Sequence, residues 1–255
     1  MKFSVLGCSG GIGGSQGRTT AFLVDEDILI DCGTGIGDLP YEMLCRINHV
    51  FLTHSHLDHI AGLPLLVDAV GERRQTPLAV HATAETIRIL HAHVFNWLVW
   101  PDFSAIPDRI HPFMRFQPIM LGETTRLDGR RITAIPALHT VPAVGYLLDS
   151  GHGQLVFSGD TTYCVEQIAA INALPALRHL IIETAFANEH HGLALASRHL
   201  CPEMLLEILG ELEVRPEVHI SHLKPGAGER IMAQIGEGAN GLQPRRLNIG
   251  DVLEF

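Results

Sequence analysis

Three imidazoles and a carboxylate crowd into the six residues His54-Ser55-His56-Leu57-Asp58-His59. The apolar run Val50-Phe51-Leu52 leads into them almost directly. Side chains two apart at the end of an extended strand face the same way, so His54 and His56 can share one metal ion. Asp58 and His59 lie beyond the turn and can address a second. The bland alternative, a polar strand-to-helix connection with an Asp cap and incidental histidines, does not call for four donors in six positions. The chain holds 16 histidines against 18 Lys plus Arg. Histidine is the commonest side-chain metal ligand and the usual proton carrier near neutral pH, but abundance proves nothing without spacing.

Two metals need more donors, and other strand ends offer them: Leu29-Ile30-Asp31, Ala137-Leu138-His139, Phe157-Ser158-Gly159-Asp160 and Ile220-Ser221-His222. Singly, each reads more readily as a cap or turn residue. In this order and number they form a strong signal. The glycine-rich start, Gly7 to Ser15, follows a strand but misses the GxGxxG spacing, and reads as a flexible loop over the metal edge. The histidines at 49, 81, 91, 93, 111, 152, 179, 190, 191 and 219 fit no ligand slot and read as surface or hydrogen-bonded residues, with His93 set apart by its place beside Phe95 and Asn96.

The elements that must position these donors are short. Apolar, β-branched runs at 3–6, 21–24, 28–30, 50–52, 78–80, 132–135, 144–148, 155–157, 180–182, 218–220 and 246–249 predict strands. Helical spacing appears at 60–70, 84–93, 164–173 and 202–212, the last opening on Pro202. Each half carries strands, a polar cluster at a strand end, then a helix. Two stacked sheets flanked by helices would cover every apolar face. Periodicity alone reaches α/β or α+β and goes no further.

Composition narrows the partners. A formal charge of -10 argues against a protein built to grip a polyphosphate backbone and favours a small substrate. Five cysteines without CxxC spacing argue against a disulfide framework or thiolate zinc knuckle, leaving buried free thiols as the expectation. The opening MKFSVLGCSGG lacks the apolar stretch of a signal peptide, and no apolar run approaches the roughly 20 residues that cross a bilayer. A cytoplasmic protein of one domain, residues 1–255, without a membrane partner is expected.

The order Asp31, HSHLDH, His139, Asp160, His222 resembles the five-motif pattern of the metallo-β-lactamase superfamily and spans nearly the whole chain. That resemblance implies an αββα four-layer sandwich with two divalent metals at one edge of the sheets. It implies His54, His56 and His139 on the first metal, Asp58, His59 and His222 on the second, Asp160 bridging, and Asp31 behind them orienting ligands. Imidazole and carboxylate without thiolate suit Zn²⁺ first, and also Mn²⁺ or Fe²⁺. Two such cations about 3.5–4 Å apart acidify a shared water and neutralise charge growing on a phosphoryl or acyl oxygen, which is hydrolysis. Superfamily members often pair, so a homodimer is the expectation by analogy.

Within the superfamily, Phe95-Asn96 followed by Trp100-Pro101-Asp102-Phe103 resembles the class II cyclic-nucleotide phosphodiesterases. Ile182-Glu183-Thr184, His199-Leu200-Cys201-Pro202 and His222-Leu223-Lys224-Pro225 resemble further segments of that family. The resemblance implies a cyclic-nucleotide substrate, cyclic AMP foremost, with Trp100, Asn96 and His93 near the base. It makes Asp58, Asp160 and His199 catalytic, His199 protonating the leaving oxygen, and sets Glu183 and Lys224 beside them. Gly62-Leu63-Pro64 instead resembles the transfer-RNA 3′-processing endonucleases of the same superfamily. That gives a second reading, a phosphodiesterase acting on another small cyclic phosphate or on RNA 3′ ends, although no basic arm for clamping RNA is evident. A third reading is a non-catalytic module that binds metal and nucleotide.

Overall fold

A computed structural model describes residues 1–239 and 243–255. Fourteen strands form two sheets of seven among these residues. The first sheet runs in the order β14 (Val252–Glu254), β1 (Lys2–Gly7), β2 (Ala21–Val24), β3 (Ile28–Ile30), β4 (His49–Phe51), β5 (Leu78–Thr83), β6 (Met114–Ile119). The second runs β13 (Arg245–Arg246), β12 (Glu217–Ser221), β11 (Leu177–Glu183), β10 (Gln154–Phe157), β9 (Val144–Asp149), β8 (Arg130–Pro136), β7 (Thr124–Leu127). The longer helices are α3 (Gly62–Val70), α4 (Ala84–His93), α5 (Val165–Asn172), α7 (Pro202–Glu211) and α8 (Gly228–Gly238), with α1 (Tyr41–Leu44), α2 (Leu57–Ile60) and α6 (His191–Ser197) as shorter turns.

Strand alternation sorts the core into three slabs. Phe22, Val24, Ile28, Ile30 and Phe51 point inward and meet Tyr146, Leu155, Phe157 and Ile181 of the second sheet. Their neighbours Ala21, Leu23, Leu29 and Val50 point outward to Leu63, Leu66 and Val67 of α3. In the second sheet Val156, Leu180 and Ile182 point outward to Ile168, Leu205, Ile208 and Ile231. Strands buried on both faces are apolar at every position, which is why they appear in the sequence as continuous runs. The result is the four-layer αββα sandwich the resemblance implied.

Three sequence expectations need correction. The helix expected over 60–70 is two, broken at Ala61, because Pro64 lacks the N–H that would continue the ladder and sits in the first turn of α3 instead. The strand expected over 246–249 shrinks to Arg245–Arg246, since the Asn248 amide donates to the Asp251 carboxylate at 2.8 Å and turns the chain into β14. The strand expected at 78–80 extends to Thr83, paired along its length with β6, itself not anticipated.

Candidate metal centre

The donors converge where the C-terminal ends of β3, β4, β11 and β12 meet the loops after β8 and β10. Asp31 follows β3 in a left-handed conformation, φ 56°, which costs a non-glycine residue about 1 kcal/mol or more. Its partners hold it there. The Asp31 amide donates to Phe51 O at 2.8 Å, and its carboxylate accepts from Thr53 N at 2.8 Å, Thr53 Oγ1 at 2.8 Å and His59 Nδ1 at 2.7 Å. The second sheet fixes the same segment from the other side, with Tyr146 Oη donating to Leu52 O at 2.7 Å and Val144 N to Thr53 O at 3.0 Å. The strand end carrying His54 and His56 is thereby clamped between the sheets.

Asp160 comes off β10 through Gly159 at φ 64°, where a Cβ would lie 2.6 Å from Val144 O, so only glycine makes that approach. His222 also takes a left-handed backbone, φ 60°, and donates its amide to Cys8 O at 2.7 Å. A Cβ on Gly10 would lie 2.8 Å from the His222 ring. The start of the glycine-rich segment is therefore packed against a candidate ligand and is not the freely flexible loop expected: Gly10 N donates to Leu223 O at 3.1 Å and Lys224 Nζ to Gly10 O at 2.7 Å.

Two donor sets result. His54, His56 and His139 offer atoms within 4.8 Å of one another, and so do Asp58, His59, Asp160 and His222. Asp160 stands between the sets, 3.8 Å from His54 Nε2, 3.3 Å from His59 Nε2 and 3.3 Å from His222 Nδ1. Buried polar atoms normally have partners, yet His54 Nε2, His59 Nε2 and both ring nitrogens of His222 have none. Orphaned imidazole nitrogens facing carboxylates are what a cation site requires, so the residues fit divalent metal ions.

The electrostatics agree. Burial drives His54 well below the ordinary histidine range and takes His139 to about 4 and His222 to about 3, keeping lone pairs available. Burial opposes ionisation of Asp160, but His222 and His59 beside it hold its carboxyl well below the usual range. At His59 burial works against charge and the carboxylates of Asp160 and Asp31 override it, raising the imidazole well above its usual value. Positive charge is thus stabilised among the carboxylates, at the place of the second donor set.

His199 stands beside the cluster, within reach of His139 and Asp160. Its Nδ1 is 2.7 Å from Glu183 Oε1, and that buried carboxylate also accepts from Thr161 N, Ala185 N and Leu200 N. Burial opposes a charged His199, and Glu183 raises it nonetheless. Arg198, which sequence reasoning missed, has φ 53°, accepts from His139 Nδ1 through its carbonyl at 3.0 Å and donates Nη1 to His139 O at 2.6 Å. None of the expected base-binding residues hydrogen-bonds to a donor of the cluster. Asn96 spends its side chain on Ala92 O, Leu98 N and Val99 N, Trp100 packs on the outer core slab, and His93 is exposed at the end of α4. A cleft of about 660 Å³ opens instead beside His139 and Arg198, lined by Met120, Leu121, Leu138 and Pro142. The five cysteines are free and all but Cys45, which is half-buried, are buried. No helix among the described residues is long and apolar enough to cross a membrane.

A sandwich of two mixed sheets with clustered His and Asp donors at one edge defines a metal-dependent hydrolase scaffold. A family model described as the β-lactamase superfamily domain matches residues 26–240, and the chain belongs to the metallo-β-lactamase superfamily of hydrolases. It is 29% identical to a probable 3′,5′-cyclic-nucleotide phosphodiesterase of Yersinia pestis over 86% of this chain and 77% of that protein. It is 28% identical to a ribonuclease Z of Halorubrum lacusprofundi over 58% of this chain and 47% of that one. The crystal structure of unliganded yeast PDE1 shares the fold with a TM-score of 0.84 at 17% identity, over 100% of this chain and 99% of that one.

Proposed function

We propose that the chain hydrolyses 3′,5′-cyclic nucleotides, cyclic AMP foremost, to nucleoside 5′-monophosphates, with two divalent ions of which Zn²⁺ suits the donors best and Mn²⁺ or Fe²⁺ also fit. His54, His56 and His139 would hold one ion, Asp58, His59 and His222 the other, and Asp160 would lie between them. When bound, such a pair supplies Lewis acidity for a phosphoryl oxygen and lowers the pKa of water. The observation that carries the reading is His199: Glu183 occupies its Nδ1 at 2.7 Å, which leaves Nε2 for a substrate at the rim of the donor cluster.

In the reaction water adds at phosphorus and gives up a proton to solvent, the P–O3′ bond breaks, the departing 3′ oxygen takes a proton from His199 Nε2, and His199 is reprotonated from solvent. Glu183 fixes the ring and stabilises its protonated form. Lys224, tethered to Gly10 O and 6.0 Å from the Phe186 ring, adds positive charge on the same side. The cleft beside His139 supports a place for the base: Met120 is 71% exposed and Leu138 42% exposed, apolar surface that a flat aromatic ligand covers. The Yersinia pestis and Aliivibrio fischeri proteins named as cyclic-nucleotide phosphodiesterases match 86% and 82% of this chain, against 58% for the Halorubrum ribonuclease Z, which favours the cyclic nucleotide over an RNA 3′ end. A small-molecule substrate, no stable nucleic-acid or membrane partner, a cytoplasmic location and a homodimer complete the reading.

Purified protein is given cyclic AMP, other cyclic phosphates and precursor transfer RNA while bound metal is assayed in parallel. Release of 5′-AMP in proportion to two bound ions supports the reading. Fully metallated protein that leaves cyclic AMP intact would shift the substrate to another phosphodiester.

A further inference from the structure

A second cluster of metal-ligating side chains lies away from the centre described above. His179 on β11 and Glu217 and His219 on β12 present donor atoms within 4.8 Å of one another. Along β11, His179 lies four residues before Glu183, about 13 Å at the usual rise. The strands are parallel with His179 opposite Glu217 and Ile181 opposite His219, which places the two histidines on the same face of the sheet. His179 is 9% exposed and His219 5%, whereas the Glu217 side chain is 63% exposed and free to swing onto a ligand.

The distances suit a tetrahedral ion. Ligand atoms about 2.0–2.1 Å from such an ion stand about 3.4 Å apart. His179 Nδ1 lies 3.2 Å from His219 Nε2 and 3.9 Å from Glu217 Oε2. His179 Nε2 lies 3.4 Å from Glu254 O, so donation there sets the tautomer that leaves Nδ1 as a lone pair.

A comparison within the molecule sharpens the case. His49 on β4 and His81 on β5 are related by the same strand offset and approach to 3.1 Å, Nδ1 to Nε2. No third donor joins them within the same reach among the described residues. That pair is a hydrogen-bonded histidine pair. The second one has a carboxylate added and a backbone carbonyl behind it.

We infer that His179, Glu217 and His219 form a further divalent-metal site, of the Zn²⁺-binding His₂Glu type, separate from the catalytic donors. Glu254 belongs to β14 of the first sheet and the three donors to the second. An ion there ties the sheets together through His179 and acts on stability, because a ligand that binds only the folded state raises the melting temperature.

The test uses the full chain loaded to saturation with Zn²⁺ and then desalted, with metal per chain measured by elemental analysis and free-ion affinity by calorimetry. Wild type is expected to hold one equivalent more than His219→Ala. Glu217→Gln, an exposed change that leaves the fold undisturbed, is expected to weaken that one equivalent by about tenfold or more and to lower its contribution to Tm accordingly. Equal stoichiometry and affinity in wild type and Glu217→Gln would overturn the inference, as would an extra ion retained by both variants. The comparison counts a difference between proteins with identical catalytic donors, so its outcome is independent of whether cyclic nucleotides are the substrate.

Discussion

Asp31→Asn keeps the size and the left-handed backbone, which asparagine tolerates, and changes only charge and hydrogen-bond polarity. The Asp31 carboxylate accepts from Thr53 N at Oδ1, and from both Thr53 Oγ1 and His59 Nδ1 at Oδ2. An amide has one acceptor oxygen. If that oxygen faces Thr53 N, the NH₂ faces His59 Nδ1, which must then accept, so the His59 proton moves to Nε2 and points at the second donor set. If the amide is flipped, its NH₂ meets the Thr53 N–H head on and the segment leading into His54 loosens. Either orientation sacrifices a charge-assisted hydrogen bond in a fully buried site, each worth about 1.5–3 kcal/mol. Because the loss falls on the orientation of His59, it should be read as metal affinity. We expect the ion held by Asp58, His59 and His222 to bind about 10–100-fold more weakly, roughly 1.4–2.7 kcal/mol, while the His54, His56, His139 set keeps its ion. Native mass spectrometry across a Zn²⁺ titration resolves the one-ion and two-ion species, and circular dichroism checks folding. An Asp31→Asn protein that fills both sites with wild-type affinity would refute the reasoning.

Further outcomes follow from the same geometry. Asp160→Ala removes the donor between the two sets and is expected to abolish turnover and metal content together, read by elemental analysis beside the phosphodiesterase assay. His199→Ala leaves every assigned donor in place, so it should keep both ions and lower kcat by about 10²–10⁴-fold; loss of metal in this variant would contradict its role as proton donor. Met120→Asp places a charge in the cleft and should raise KM for cyclic AMP about tenfold or more with metal content unchanged, whereas an unchanged KM would remove the base from that cleft. Burial pushes His81 down to about 4 from an ordinary 6.5, so the unfolded chain takes up more protons than the folded one between those values. The stabilisation is therefore complete above pH 6.5 and declines as pH falls towards 4, by at most about 3.4 kcal/mol. Urea unfolding in EDTA should show this decline in wild type and a flatter profile in His81→Phe, and parallel profiles would discard it.

Much of the fold was readable because the central strands are buried on both sides. Ala21–Val24 and Ile28–Ile30 are apolar at every position since each face meets a different slab of core. The elements that escaped lie at edges or on the outside. β6 carries Arg115, Gln117 and Pro118, which an edge strand accepts and an apolar-run search rejects. β7 is polar and exposed for the same reason. α8 holds Gly228, Gly236 and Gly238, poor helix formers, and is held mainly by Ile231 and Ile235 packing in the outer slab of the second sheet. In these segments tertiary packing outweighs local propensity, and packing has no signature in a short window of sequence.

The site divides along the same line. Site residues after strand ends are legible because a strand fixes the direction in which its last side chains leave, and Asp31, His54, His56 and His222 all obey that rule. Residues placed by loops do not. Asn96 has the residue type expected of a base contact, yet three nearby backbone groups consume its side chain before any ligand can. Arg198 carries no motif and still interlocks with His139 through two hydrogen bonds across 59 residues of sequence. What fixes it is the left-handed turn at the end of α6, which faces its carbonyl towards the His139 ring and sends the next residue, His199, to Glu183. One backbone conformation thus positions a candidate metal ligand and the candidate proton donor together. An Arg198→Gly variant separates the two functions of that residue: glycine keeps the turn and removes the guanidinium, so metal content should hold while KM for a phosphate-bearing substrate rises. Loss of metal in Arg198→Gly would mean that the Nη1 bond to the His139 carbonyl, and not the turn, holds that ligand in place.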